Sequence, residues 1–247
     1  MKKILFIIFF CILWVSPALA ADVLDSDNDG INDKDEQEIY FTDEQKADTD
    51  GDGYIDKDEL VKGFSPHNPQ PVKLEKNDAD KDGLNDRMEL NFHTNLLNPD
   101  TDNDGYKDGD EINNGFDPLR QNRERLKKRI EISLAKQELS YWLGSVRMEI
   151  FKISSGKKST PTPKGNFKIV SKSTKAWSKA YGLWMPWWMG LANGNFGIHE
   201  LPVWPNGYRE GENHLGTSVS HGCIRLGVGA AKKLYDWTPI GTEVYIY

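Results

Sequence analysis

This chain of 247 residues has little cysteine, few long apolar runs and, in each half, few charges of one sign. It has two cysteines, Cys11 and Cys223. Cys11 lies in an apolar leader, so the mature chain keeps one thiol and cannot close an internal disulfide. A small disulfide-framed fold is thereby excluded. The one long apolar run, residues 4–15, is short for a bilayer span, and no later stretch is apolar enough to cross one. A multi-span membrane protein is excluded too. Residues 22–118 carry 29 acidic and only 9 basic side chains, a net charge of −20. Residues 119–247 carry 9 acidic and 20 basic, a net of +11. The overall −7 therefore hides two modules with different partners. No nucleic-acid partner is expected.

The N-terminus reads as a secretory signal over residues 1–20. Lys2 and Lys3 precede the apolar run, and Ala18-Leu19-Ala20 supplies small residues for cleavage. Cys11 sits inside the run rather than behind a small-residue lipobox, so no lipoprotein is read. An exported chain with no transmembrane segment after cleavage is expected, in the periplasm or associated with the cell envelope.

The acidic module, residues 21–118, is built from four copies of one loop. The first holds Asp25, Asp27, Asp29 and Gly30, then Asp33 and Glu36. The second holds Asp48, Asp50, Asp52 and Gly53, then Asp56 and Glu59. The third holds Asp78, Asp80, Asp82 and Gly83, then Asp86 and Glu89. The fourth holds Asp100, Asp102, Asp104 and Gly105, then Asp108 and Glu111. Acids recur at loop positions 1, 3, 5, 9 and 12, with glycine at 6. A hard cation such as Ca2+ takes six to eight oxygens, and a tight loop with alternate carboxylates and a closing glutamate supplies them. All twenty acids are candidate ligands. A disordered acidic spacer would not keep glycine and glutamate in register.

These loops depart from the EF-hand. The apolar residue stands at position 7 (Ile31, Tyr54, Leu84 and Tyr106), while position 8 holds Asn32, Ile55, Asn85 and Lys107. With the intervening Asn95-Leu96-Leu97-Asn98-Pro99 and Asn114-Gly115-Phe116-Asp117-Pro118 segments, the module resembles bacterial thrombospondin type 3 repeats. The resemblance implies a string of calcium-filled loops with little conventional core. His67 and His93, between loops, read as solvated. Residues 119–129 form a basic linker, read as a short solvated helix, with contact to anionic wall polymer or to the acidic repeats as the alternative.

From residue 130 the pattern changes to strands. Ile130, Ile132 and Leu134 alternate with polar residues, and residues 138–143 and 146–153 flank Gly144-Ser145 as a hairpin. Strands are expected at 166–170 and 241–247, and one helix at 230–237. A compact, mostly β domain over residues 130–247 follows.

That domain carries Thr162-Pro163-Lys164-Gly165-Asn166-Phe167, Gly197-Ile198-His199 and Gly216-Thr217-Ser218-Val219-Ser220-His221-Gly222-Cys223-Ile224-Arg225-Leu226. On these motifs it resembles the YkuD-type L,D-transpeptidase catalytic domain. The resemblance implies a β-sandwich-like fold and acyl transfer at the third residue of peptidoglycan stem peptides. The residues themselves agree. Amide cleavage needs a nucleophile, a base and donors for the oxyanion. Cys223 is the mature thiol, and a thiol needs a base or a field to become thiolate. His199 and His221 are both candidates. The resemblance assigns the base to His199, oriented by a backbone carbonyl that Glu200 would offer. The amides of Gly222 and Cys223 are candidate oxyanion donors. Arg225 and Ser220 are candidate substrate contacts, Ser220 more naturally as a structural hydrogen-bonding residue. His214 reads as structural. His199 and Cys223 stand 24 residues apart, wider than the family's usual spacing, and residues 201–212 read as the insertion. Seven aromatic side chains crowd the same region (Trp177, Tyr181, Trp184, Trp187, Trp188, Trp204 and Tyr208), as a lid or sugar-peptide platform or as a local core.

The reading is an exported cysteine L,D-transpeptidase with a calcium-binding N-terminal module and no cofactor for catalysis. It would form 3–3 cross-links or attach a lipoprotein lysine to the wall. The alternatives are an L,D-carboxypeptidase of the same fold and a calcium-dependent wall-binding or adhesive protein.

Overall fold

The structure is a computed structural model, and it describes residues 24–192 and 195–247. The signal sequence expected over residues 1–20 lies outside the described residues. Among the described residues no helix is long and apolar enough to cross a membrane. The chain forms two compact units, one ending at Leu74 and one running from Glu75 to Tyr247.

The first unit holds loops one and two. Each loop runs into a short helix at its position-9 aspartate: α1 (Asp33–Asp35), continued by a π-helical turn (Glu36–Tyr40), and α2 (Asp56–Lys62). An acid at the first helical turn favours the exposed N–H groups there. The two loops are joined by a bond from the Lys57 amide to the Asp29 carboxylate at 3.2 Å. His67 is not solvated as expected. Its Nε2 meets the Tyr40 carbonyl at 2.8 Å, tying the linker after α2 to the end of the π-turn.

The second unit opens with loops three and four and their helices α3 (Asp86–Phe92) and α4 (Asp108–Asn114). They repeat the same join: the Gly109 amide donates to Asp82 at 2.6 Å. Here position 10 must be glycine, because an added Cβ would lie 2.7 Å from the Asp82 carbonyl oxygen. The basic segment that follows is not a helix. It turns back on loop four, with Arg123 stacked over Tyr106 and Phe116 at 4.0 and 4.3 Å, and Arg125 over Phe116 at 4.5 Å. Planar guanidinium groups on aromatic faces outcompeted a solvated helix at these positions.

The strands are β1 (Lys128–Ser133), β2 (Glu138–Leu143), β3 (Val146–Ser154), β4 (Gly165–Lys168), β5 (Ser171–Ser178), β6 (Leu183–Leu191), β7 (Phe196–Glu200), β8 (Ile224–Leu226) and β9 (Glu243–Ile246), with α5 (Ala230–Trp237) between the last two. They form one run in the order β4-β9-β1-β2-β3-β8-β7-β6-β5. The sheet curls so that both ends share a core. Ile130 and Ile132 of β1, Leu139 of β2 and Val244 of β9 pack with Met189, Ile198, Ile224, Leu226 and the Leu234 of α5.

A second cluster lies in the same unit. Leu143 and Val146, at the tip of the β2–β3 hairpin, pack with Leu84, Phe92 and Ile112 of loops three and four. Leu143 is fully buried and Ile112 is 1% exposed. Loops three and four thus lend the sheet part of its core. The hairpin around Gly144-Ser145, α5 and the closing strand stand where the sequence places them. Strands β5 to β8 are not legible there. Residues 183–191 are a continuous apolar run broken by Pro186, and a strand proline ordinarily argues against a strand. It is tolerated because β7 pairs only with residues 189–191 of β6.

Candidate active site and acidic loops

Strands β7 and β8 run parallel, pairing Ile198 with Ile224 and His199 with Arg225. Cys223 directly precedes β8, so strand alternation puts its side chain on the same face as Arg225 and His199. All three line one cavity of about 580 Å³. Cys223 is a free, half-buried thiol.

His199 is 2% exposed, and its Nδ1 lies 2.5 Å from the Glu200 carbonyl oxygen. A carbonyl only accepts, so Nδ1 carries the proton and Nε2 keeps its lone pair. Trp188 stacks on the imidazole at 5.9 Å between centroids. Burial pushes the His199 pKa down to about 4, with the Arg225 charge adding to the effect and the Glu200 carbonyl opposing it. Burial also pushes the Cys223 thiol up, against a backbone hydrogen bond from Gly197 and the Arg225 charge. At neutral pH both groups are therefore uncharged, which suits an imidazole that accepts a proton as the thiol attacks.

His221 occupies a different environment. It is exposed, stacks on Tyr181 at 4.6 Å, and accepts from Lys157 Nζ at 3.2 Å. Its pKa is lowered by slight burial, then by Lys157 and Arg225.

Ser220 and Gly222 hold the turn. The buried Ser220 hydroxyl donates to the Cys223 carbonyl at 2.6 Å and accepts from the Gly222 amide at 3.1 Å. Both partners lie within the turn, so the hydroxyl holds it structurally, and the residue also lines the cavity. It also engages the Gly222 amide, leaving Cys223's as the better candidate oxyanion donor. Gly222 has φ +115, which an L side chain rarely adopts. Thr162, from the motif ahead of β4, donates to the Gly222 carbonyl at 2.9 Å. The motif is plain in the sequence, but this contact spans 60 residues and leaves no local signal there.

Arg225 is nearly buried and paired with Glu210 from the 201–212 insertion. Within the same insertion, Arg209 pairs with Glu200. Nothing in the sequence marks Glu210, since an isolated glutamate in a loop carries no local signal. Of the crowded aromatics, Trp177, Tyr181, Trp188 and Trp204 line the cavity. Trp187 instead packs on Tyr235 of α5.

In every acidic loop the carboxylates at positions 1, 3 and 5 converge: Asp25, Asp27 and Asp29; Asp48, Asp50 and Asp52; Asp78, Asp80 and Asp82; Asp100, Asp102 and Asp104. Buried carboxylate oxygens without a hydrogen-bond partner recur at position 3 (Asp27, Asp50, Asp80 and Asp102) and at position 12 (Glu36, Glu59, Glu89 and Glu111). Burial, reinforced by the neighbouring aspartates, raises the pKa of Glu89 to about 9 and of Glu59 to about 8. Buried, unpaired, mutually repelling oxygens fit a hard divalent cation. The position-9 aspartates do something else. Asp56 accepts from the Thr49 amide and hydroxyl at 2.8 and 2.6 Å, and Asp108 accepts likewise from Thr101. Asp33 accepts from Ser26, and Asp86 from Ala79 and Asn77. Their oxygens close the loop onto position 2, and they stand outside the converging set of positions 1, 3 and 5.

Comparison with known proteins agrees with this division. Residues 127–246 match the L,D-transpeptidase catalytic domain family, and residues 25–39, 48–63 and 100–121 match the bacterial TSP3 repeat. YciB of Bacillus subtilis, named as an L,D-transpeptidase, is 33% identical over 47% of this chain and 64% of its own length. YkuD of the same organism, named likewise, is 29% identical over 47% of this chain and 64% of its own. This chain therefore spans less than two thirds of either relative. Among solved structures, an L,D-transpeptidase from Stackebrandtia nassauensis is 28% identical, with a TM-score of 0.41 over 49% of this chain and 55% of that one. Residues 127–246 are an L,D-transpeptidase catalytic domain of the YkuD family, carried behind bacterial TSP3 repeats in the same chain.

Proposed function

We propose that the protein is an exported cysteine L,D-transpeptidase acting on peptidoglycan stem tetrapeptides at the cell envelope. The observation that carries this reading is His199 in one cavity with Cys223, its Nδ1 fixed by the Glu200 carbonyl. Cys223 Sγ attacks the carbonyl between the third and fourth stem residues while His199 Nε2 takes the thiol proton. The amide C–N bond breaks, the proton passes to the leaving amine, and the terminal amino acid departs. A thioester remains on Cys223. An acceptor amine then attacks it, restoring the thiol and forming a new amide. A diaminopimelate amine gives a 3–3 cross-link, and a protein lysine gives a wall-attached protein. The position 1, 3, 5 and 12 carboxylates of the four loops would hold Ca2+, whose charge would offset theirs.

Mass spectrometry of a disaccharide tetrapeptide incubated with the protein tests the reading. Loss of the fourth residue with a mass increment on Cys223 supports it, and dimer formation distinguishes amine from water as acceptor. Unchanged substrate and an unmodified Cys223 would refute it, and would favour a wall-binding protein.

A further inference from the structure

We propose that Glu210 is a specificity-determining residue. With Arg225 it reads a zwitterionic α-amino-acid group, an ammonium and a carboxylate on one carbon, carried by the donor peptide beside the scissile bond. The proposal rests on the transpeptidase reading above.

Glu210 is the one acidic side chain among the described residues lining the cavity that holds Cys223 and His199. Its side chain is 18% exposed and bonds Arg225, whose side chain is 9% exposed. The Arg225 Nε is buried with no partner. A guanidinium has five donors and a carboxylate several acceptor sites, so the pair retains capacity for a second pair of opposite charges. A carboxylate placed on Arg225 and an ammonium on Glu210 would complete a four-charge ring. A ligand bearing only an ammonium would leave Arg225 no better satisfied.

The pair is not needed to place the loop. Arg209 holds it to Glu200, and Val203 exchanges backbone bonds with Trp184 at 2.8 and 2.9 Å. The Glu210 amide also donates to the Pro202 carbonyl at 3.0 Å. The loop thus stays anchored when the Glu210 charge is removed.

The test compares two tetrapeptide donors, one with a zwitterionic diamino diacid third and one with lysine third. Wild-type protein should prefer the first by at least about tenfold in kcat/KM, since a site built for a polar group rejects the analogue lacking it. Glu210→Gln should collapse that preference, mainly through KM, while Glu210→Asp, which keeps the carboxylate, should retain part of it. An unaltered preference in Glu210→Gln, or equal losses on both donors, overturns the proposal. Protection of wild-type Cys223 from iodoacetamide gives a readout needing no variant. The zwitterionic donor should protect at lower concentration, and equal protection overturns the proposal. Unequal protection without turnover of either donor would instead refute the transferase reading and leave the recognition role standing.

Discussion

Separating the strands from the acidic loops should destabilise them. Leu143 and Val146 are buried against Leu84, Phe92 and Ile112. A chain cut to residues 119–247 exposes both hairpin residues to water. Full exposure of such side chains costs about 1.5–3 kcal/mol each, so roughly 3–6 kcal/mol together as an upper figure. Domains of this kind have only about 5–15 kcal/mol in total. At roughly 3 °C per kcal/mol for this size, the midpoint should fall by about 10–20 °C. The control is residues 75–247, which keep loops three and four, both proteins being melted with calcium present and followed by near-ultraviolet circular dichroism. In the full chain Ile112→Ala should lower the stability of the same transition by about 2–5 kcal/mol. Equal midpoints for the two shortened chains would refute the reasoning, because the shared cluster would then contribute nothing.

Three further outcomes are expected. Iodoacetamide should alkylate Cys223 along a single rise with pH, its midpoint above the free-thiol value of about 8.5, because burial raises the thiol and keeps His199 neutral. A plateau between pH 5 and 7 would instead mean a preformed thiolate–imidazolium pair. His199→Ala should cut turnover by about a hundredfold or more, while His221→Ala keeps most of it; the reverse pattern in steady-state kinetics would exchange their roles. Glu89→Gln should weaken calcium binding measured by titration calorimetry and leave Asp86→Asn the milder change, since the Glu89 oxygens lack partners and those of Asp86 are engaged. Equal effects would return the position-9 aspartate to the ligand set.

The sequence alone determined what depends on neighbours along the chain. A loop that bends at a glycine and converges three carboxylates within five residues is a local object, so all four were legible. So was the motif around Cys223, where Ser220, Gly222 and the thiol lie within four residues. The β2–β3 hairpin and α5 followed from alternation and composition. Only tertiary structure decided the rest, because it depends on residues far apart. The position-9 aspartates look like ligands in the motif, and only the folded loop turns them onto position 2. Glu210 is silent until β8 brings Arg225 to it. The packing of Ile112 on Leu143 joins repeat to sheet through apolar contact, which has no direction and leaves no spacing to read.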